Sequence, residues 1–150
     1  MRVVADTDIL SIFAKVERLD ILKKLFDLVI APSVISELRS GRIDIRGLKP
    51  TVVKLTGEEI KGLKETSVKL GRGERECFVI ARSRDMPLAS NDKLVHSLCR
   101  KEGISYFTLP RILRFAISER VIARDEARQL VKMIEKGERT RIKDKDEIFR

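Results

Sequence analysis

Carboxylates recur along this chain where short apolar runs give way to stretches of helical spacing. Asp6 and Asp8 stand in VVADTDIL, Glu37 in SVISELR, Glu74 and Glu76 in GRGERECFVIA, and Asp92 in LASND. Grouped carboxylates suit hard divalent cations such as Mg²⁺ or Mn²⁺, which prefer oxygen ligands and keep positions open for water and substrate phosphate. Such ions acidify water and neutralise charge on a phosphodiester, so no protein nucleophile is required. The rest of the inventory agrees. His96 is the only histidine, which excludes a histidine-pair ribonuclease, and it is expected on the surface of the helix that follows Asp92. Cys77 and Cys99 lack the spacing and the accompanying histidines of a zinc site and read as core thiols.

The fold must bring these acids together. Val3-Val4-Ala5, Leu28-Val29-Ile30-Ala31 and Met86-Pro87-Leu88-Ala89 each read as a short buried strand, and open parallel sheets bind ligands beyond the carboxyl ends of their strands. The pattern alternates along the chain. A strand over 2–5 precedes a helical pair spanning Ile9 to Phe13 and Leu19 to Phe26. A strand over 28–31 then feeds a helix over 34–40, with Ser33 as its N-cap and Gly41 at its end. A candidate strand over 51–55 precedes a helix that opens at Thr56-Gly57-Glu58-Glu59 and runs to near Gly71. A buried helix over 74–84, a strand over 86–89, a helix over 92–100 and a strand over 104–107 follow. Helices near 109–118 and 124–136 complete the series. The alternation predicts a three-layer α/β/α sandwich around a mostly parallel sheet. One domain spans 1–150, with roughly 137–150 as a charged and partly mobile tail.

Each acid has an ordinary role to weigh beside a chemical one. Asp8 sits at a strand-to-helix turn and is expected to cap the helix. Asp6 ends an apolar strand where packing favours an aliphatic residue, and a buried carboxylate is costly unless paired or metal-bound. Asp92 ends its strand in the same way, with Ser90 beside it to share the capping. Glu74 and Glu76 fall in the first turn of a helix, where the dipole favours negative charge. Glu37 taken alone is a solvated helix residue.

Composition sets the outer bounds. The chain has 150 residues, 43% hydrophobic and 37% charged, with 8 Gly and 4 Pro, which describes an ordered domain. Its net charge of +9 is spread along the sequence, with 19 basic and 14 acidic side chains in residues 1–100. A basic surface points to nucleic acid as partner, against the plainer explanation of a solvated, heat-adapted surface. Arg72, Arg75, Arg82, Arg84, Lys93 and Arg100 flank the acidic helices, and Arg39 and Arg42 the Glu37 segment. Thr7, Ser33, Arg75, Asn91 and Lys93 are the candidate substrate contacts. Aromatic residues make up only 5%, so recognition is expected to rest on backbone charge and shape rather than base stacking. No leader peptide and no apolar run of about 20 residues is evident, so the expected place is the cytoplasm, with no membrane association.

Four segments in order carry a resemblance. VVADTDILSIFA, APSVISELR, LGRGERECFVIAR and PLASNDKLVHSLCRKEGI resemble the successive acid-bearing segments of PIN domains, a metal-dependent nuclease fold that includes toxins of prokaryotic toxin–antitoxin pairs. The resemblance implies Asp6, Glu37, Glu74 and Asp92 as the catalytic and metal-binding set. Glu76 competes with Glu74 for the third place, since the family usually has Asp there, and Asp8 is a further candidate ligand. It also implies RNA as substrate, endonucleolytic hydrolysis with Mg²⁺ or Mn²⁺, an antitoxin protein as a possible partner, and a homodimer. The apolar stripe Leu109, Ile112, Leu113 and Ala116 is then either core or dimer surface. The alternative within the same fold is an RNA-binding or RNA-processing subunit with weak or no catalysis, and a metal-dependent phosphatase is a further one.

Overall fold

The computed structural model describes all 150 residues. Five parallel strands form one sheet in the order β3-β2-β1-β4-β5. They are β1 (Arg2–Ala5), β2 (Asp27–Ile30), β3 (Thr51–Val52), β4 (Leu88–Ala89) and β5 (Tyr106–Phe107). Eight α-helices cover the sheet: α1 (Thr7–Lys15), α2 (Leu19–Leu25), α3 (Pro32–Ser40), α4 (Gly57–Glu65), α5 (Arg72–Ser83), α6 (Lys93–Glu102), α7 (Leu109–Ser118) and α8 (Arg124–Glu138). This is the three-layer α/β/α sandwich that the alternation predicts, and its sheet is wholly parallel.

Burial explains the layers. Val3, Val4 and Ala5 are completely buried, and Leu88 and Ala89 nearly so, because a central parallel strand is covered on both faces and reads as a continuous apolar run. On the helices, apolar residues recur at helical spacing. Ile9, Leu10 and Phe13 of α1, and Phe78, Ile80 and Ala81 of α5, turn into the core. Helix α5 packs against α3, α4 and α6, while α1, α2, α7 and α8 pack on one another. Cys77 and Cys99 are buried free thiols. Leu109, Ile112, Leu113 and Ala116 lie in the core of the single chain, so that stripe is not available as a dimer surface.

Several elements depart from expectation for local reasons. Helix α4 stops at Glu65 and does not reach Gly71, because Thr66 turns its hydroxyl back onto the Gly62 carbonyl at 2.9 Å and the chain leaves the helix there. Helix α3 begins at Pro32, with Ala31 as its N-cap. Proline suits the first helical turn, and Ser33, thereby placed inside the helix, does not cap it. The strands of the second half are two residues long, since only 88–89 and 106–107 pair. The C-terminal segment folds back as a 3₁₀ turn over Lys145–Phe149, with Ile148 buried, instead of projecting as a loose tail. No helix is long and apolar enough to cross a membrane.

Candidate metal centre

The sheet order sets the place. From β1 the chain moves outward through β2 to β3, then returns to the other side of β1 as β4. The gap beyond the carboxyl ends of β1 and β4 is therefore the point where strand order reverses, and ligands of open α/β sheets bind at such points. Register makes the meeting close. Ala5 pairs with Ala89, and the Asp6 N–H donates to the Ala89 carbonyl at 3.1 Å. Asp6 and Ser90 thus leave neighbouring strands side by side.

Asp6 is 4% exposed and caps α1, its Oδ1 accepting from the Ile9 N–H at 2.9 Å. The cap is Asp6 rather than Asp8, because Asp6 holds the extended backbone of a cap while Asp8 already lies in the first turn, exposed. Burial pushes the Asp6 carboxyl up to about 7. Hydrogen bonds from Ile9 and Ser90 offset this in part, and Asp8 and Glu74 add to it. Asp92 caps α6 in the same manner, accepting from Leu94 and Val95 at 2.8 and 3.1 Å. Ser90 ties the two together: its hydroxyl bonds to Asp6 and accepts from the Asp92 N–H at 3.1 Å. It links the strands instead of sharing the cap.

Glu74 is the hub of the set. Burial raises its carboxyl, Asp92 raises it further by charge and by direct contact, and Glu37 does so more weakly, against some relief from the Gly71 N–H. Its Oε2 is buried with no hydrogen-bond partner. Glu37 is exposed, accepts from the Thr7 hydroxyl at 2.5 Å, and lies against Gly73, where a Cβ would overlap its carboxylate. Gly73 is therefore a member of the site that the pattern of acids did not reveal; the signal was the glycine immediately before Glu74. Asp8 stands at the edge of the group, raised chiefly by burial and then by Glu138, with Asp92 adding to the effect.

Glu76 is differently placed. It is 2% exposed and accepts from the Ser33 N–H at 2.9 Å, the Ser33 hydroxyl at 2.5 Å and Arg72 Nε at 2.9 Å. Burial raises its carboxyl, but these bonds outweigh that and hold it below the usual range. Glu76 and Ser33 satisfy each other across α3 and α5. The arginines are likewise spent within the protein more than expected. Arg72 serves Glu76, Arg84 grips Glu59 with two bonds of 2.9 and 2.8 Å, and Arg82 lies over Phe78 and 3.9 Å from Glu102. Arg75 is half-buried with its Nε unpartnered, while Thr7, Asn91 and Lys93 border the acids. His96 is buried rather than on the surface, its Nε2 2.6 Å from the Ser90 carbonyl and its ring stacked on Tyr106.

A PIN domain family model matches residues 2–149. The chain belongs to the PIN domain family. Among solved structures it is similar to a PilT N-terminus domain protein from the hyperthermophilic archaeon Sulfolobus solfataricus, at 21% identity, with a TM-score of 0.56 over 78% of this chain and 94% of that one. That likeness concerns the fold. No curated protein matches. The family is of nuclease type and its members generally use divalent metal ions.

The residues present fit such an ion. Asp6, Asp8, Glu37, Glu74 and Asp92 form no ion pair with any lysine or arginine in a chain of net charge +9. Burial first, and like-charged neighbours second, push Asp6 and Glu74 towards neutrality, and one carboxylate oxygen of Glu74 is buried with nothing to bind. No three of them stand close enough together to hold an ion as they are arranged. Mg²⁺ and Mn²⁺ bind through one or two carboxylates, with waters and substrate phosphates completing the shell.

Proposed function

We propose that this PIN domain protein is a divalent-metal-dependent endoribonuclease that hydrolyses RNA phosphodiester bonds. The supporting observation is the unneutralised acid set at the β1/β4 reversal, with Asp6 buried and Glu74 against Asp92. Buried acids without a cation cost free energy, and the Glu59 and Glu76 sites show that this fold can supply basic partners. Asp6, Glu74 and Asp92 would hold the ion, with Glu37 completing the set and Thr7 orienting it. What a bound Mg²⁺ or Mn²⁺ supplies is Lewis acidity toward the phosphate and the attacking water. Asp6 and Asp92 each offer Oδ1 to a helix N-terminus. The Gly73 seat lets the Glu37 carboxylate approach, and Ser90 fixes the spacing of the two aspartates.

The test is Mn²⁺-titrated cleavage of single-stranded RNA by the wild type, Asp6→Asn and Asp92→Asn. Asparagine retains the capping oxygen, so only charge is removed. Activity lost in both variants supports the assignment, and equal activity in all three rejects it. The toxin half of a toxin–antitoxin pair is the role the same activity would serve. Growth arrest on expression that disappears with Asp6→Asn supports it. That no three of the acids stand close enough to hold an ion favours one alternative, an RNA-binding subunit with weak or no catalysis, and RNA bound tightly in EDTA but never cleaved would establish that.

A further inference from the structure

A cleft of about 540 Å³ opens beside the acid set, bordered by Asp8, Asn91 and Lys93. Its opposite wall is the C-terminal segment, which contributes Arg141 and Lys143. That wall is fixed at both ends. Glu135 accepts from the Ile142 N–H at 2.8 Å and from Lys145 Nζ at 3.1 Å. Farther on, Ile148 is buried, Arg124 donates to the Phe149 carbonyl at 2.6 Å, and Arg124 and Arg128 both lie over the Phe149 ring.

Between the walls the cations are left over. Lys93, Arg141 and Lys143 all line the cleft, and none of them pairs with a carboxylate. Like charges gathered in one cleft repel, and an anion among them removes that cost. Of the carboxylates that line the cleft, Asp8, Glu138, Asp144 and Glu147, none forms an ion pair with these three cations, and Glu138 is held by Lys15 at 3.4 Å. At the far end the Tyr106 ring already packs on His96 and beneath Arg111, so no free aromatic face is offered to a base.

We propose that this cleft is a backbone track in which Lys93, Lys143 and Arg141 hold the phosphate next to the one at the acid set, on a single-stranded polynucleotide. The C-terminal segment is then half of the substrate site. Binding through these three cations is blind to base identity, because phosphate contacts carry no sequence information. That the polymer is RNA rests on the function proposed above; the track itself does not.

The test uses the full chain in EDTA, with the affinity of a labelled single-stranded oligouridylate measured by fluorescence anisotropy across a salt series. Each lost phosphate contact lowers the slope of log K against log salt by about 0.7. Lys143→Ala should lose one such step, and Arg141→Ala/Lys143→Ala should bind about tenfold weaker or worse. Lys143→Arg should keep the slope, as should Lys64→Ala, an exposed position on α4. Wild-type slopes in the Arg141 and Lys143 variants, or no binding by any form, overturn the track. Cleavage assayed separately with Mn²⁺ keeps the two proposals apart. Slope loss without cleavage supports the track against the nuclease, and cleavage with unchanged slopes does the reverse.

Discussion

Glu74 and Glu76 lie two residues apart on α5 and are treated in opposite ways by the same fold. Glu76 is enclosed by Ser33 and Arg72, and Glu59, near the other end of α5, is enclosed by Arg84, Ser83 and the Thr56 capping box. The Arg84 guanidinium holds the Glu59 carboxyl down at about 2. Glu74 and Asp6 have no cation at all, and burial with like-charged neighbours drives them up, Asp6 to about 7. Under the function proposed, carboxylates that stabilise are paired and carboxylates kept for chemistry are left in deficit. The deficit is what marks out the proposed site.

The largest effect that could break this contrast is on turnover. Asp6→Asn is expected to lower Mn²⁺-dependent RNA cleavage on the order of 100-fold or more, as removal of a ligand to an essential ion does. Steady-state rates at saturating Mn²⁺ check it, and a loss below tenfold would put Asp6 with the structural acids.

Next is the pH dependence of metal-free stability. The folded Asp6 carboxyl titrates above its unfolded value of 3.8, so the folded state holds its proton longer. The favourable term is complete below pH 3.8 and is lost as pH rises through about 7, a change of roughly 4 kcal/mol at most. Thermal unfolding in EDTA should therefore show the wild type losing stability relative to Asp6→Asn between pH 4 and pH 8. Mn²⁺ should restore more of it at the upper end, and parallel curves would show that burial does not penalise Asp6.

Glu59 should behave with the opposite sign. Its carboxyl lies below the ordinary 4.5, so the ion pair stabilises at neutral pH and the contribution falls away as pH drops through about 2. Glu59→Gln leaves Arg84 partly buried without its charge partner and should cost about 2 kcal/mol, read as a Tm lowered by about 4–8 °C with cleavage unchanged. The smallest effect is expected from Glu76→Gln. The amide keeps contact with Ser33 while Arg72 is largely exposed, so a loss of about 1 kcal/mol is expected with cleavage retained. A collapse of cleavage comparable to that of Asp6→Asn would move Glu76 into the site.

What was legible in the chain was what adjacent residues decide. Val3-Val4-Ala5 followed by Asp6, and Leu88-Ala89 followed by Ser90-Asn91-Asp92, announce buried strands that end in acid. Parallel pairing then brings the two ends together. Capping is subtler, for Asp6 and Asp8 are equally good capping types and only the backbone conformation at Asp6 chooses between them. Glu74 and Glu76 differ by about 200° around their helix, but which side meets Ser33 and which meets Asp92 depends on how α3 and α6 dock. The arginines misled for a related reason: a guanidinium near an acid in sequence is free for substrate only if no internal carboxylate takes it, and Glu59 and Glu102 are distant in the chain. The C-terminal turn was hidden because a single Ile148 among charged residues gives no periodicity.

The central claim is that carboxylates distant in sequence hold a cation between the ends of β1 and β4. Crystals soaked in Mn²⁺ test it directly by anomalous diffraction. The account predicts a peak coordinated by oxygens of Asp6 and Asp92 with Glu74 in its shell, and absent from Asp6→Asn crystals. Saturating Mn²⁺ that leaves this position empty, or that binds only at surface carboxylates elsewhere, would contradict it.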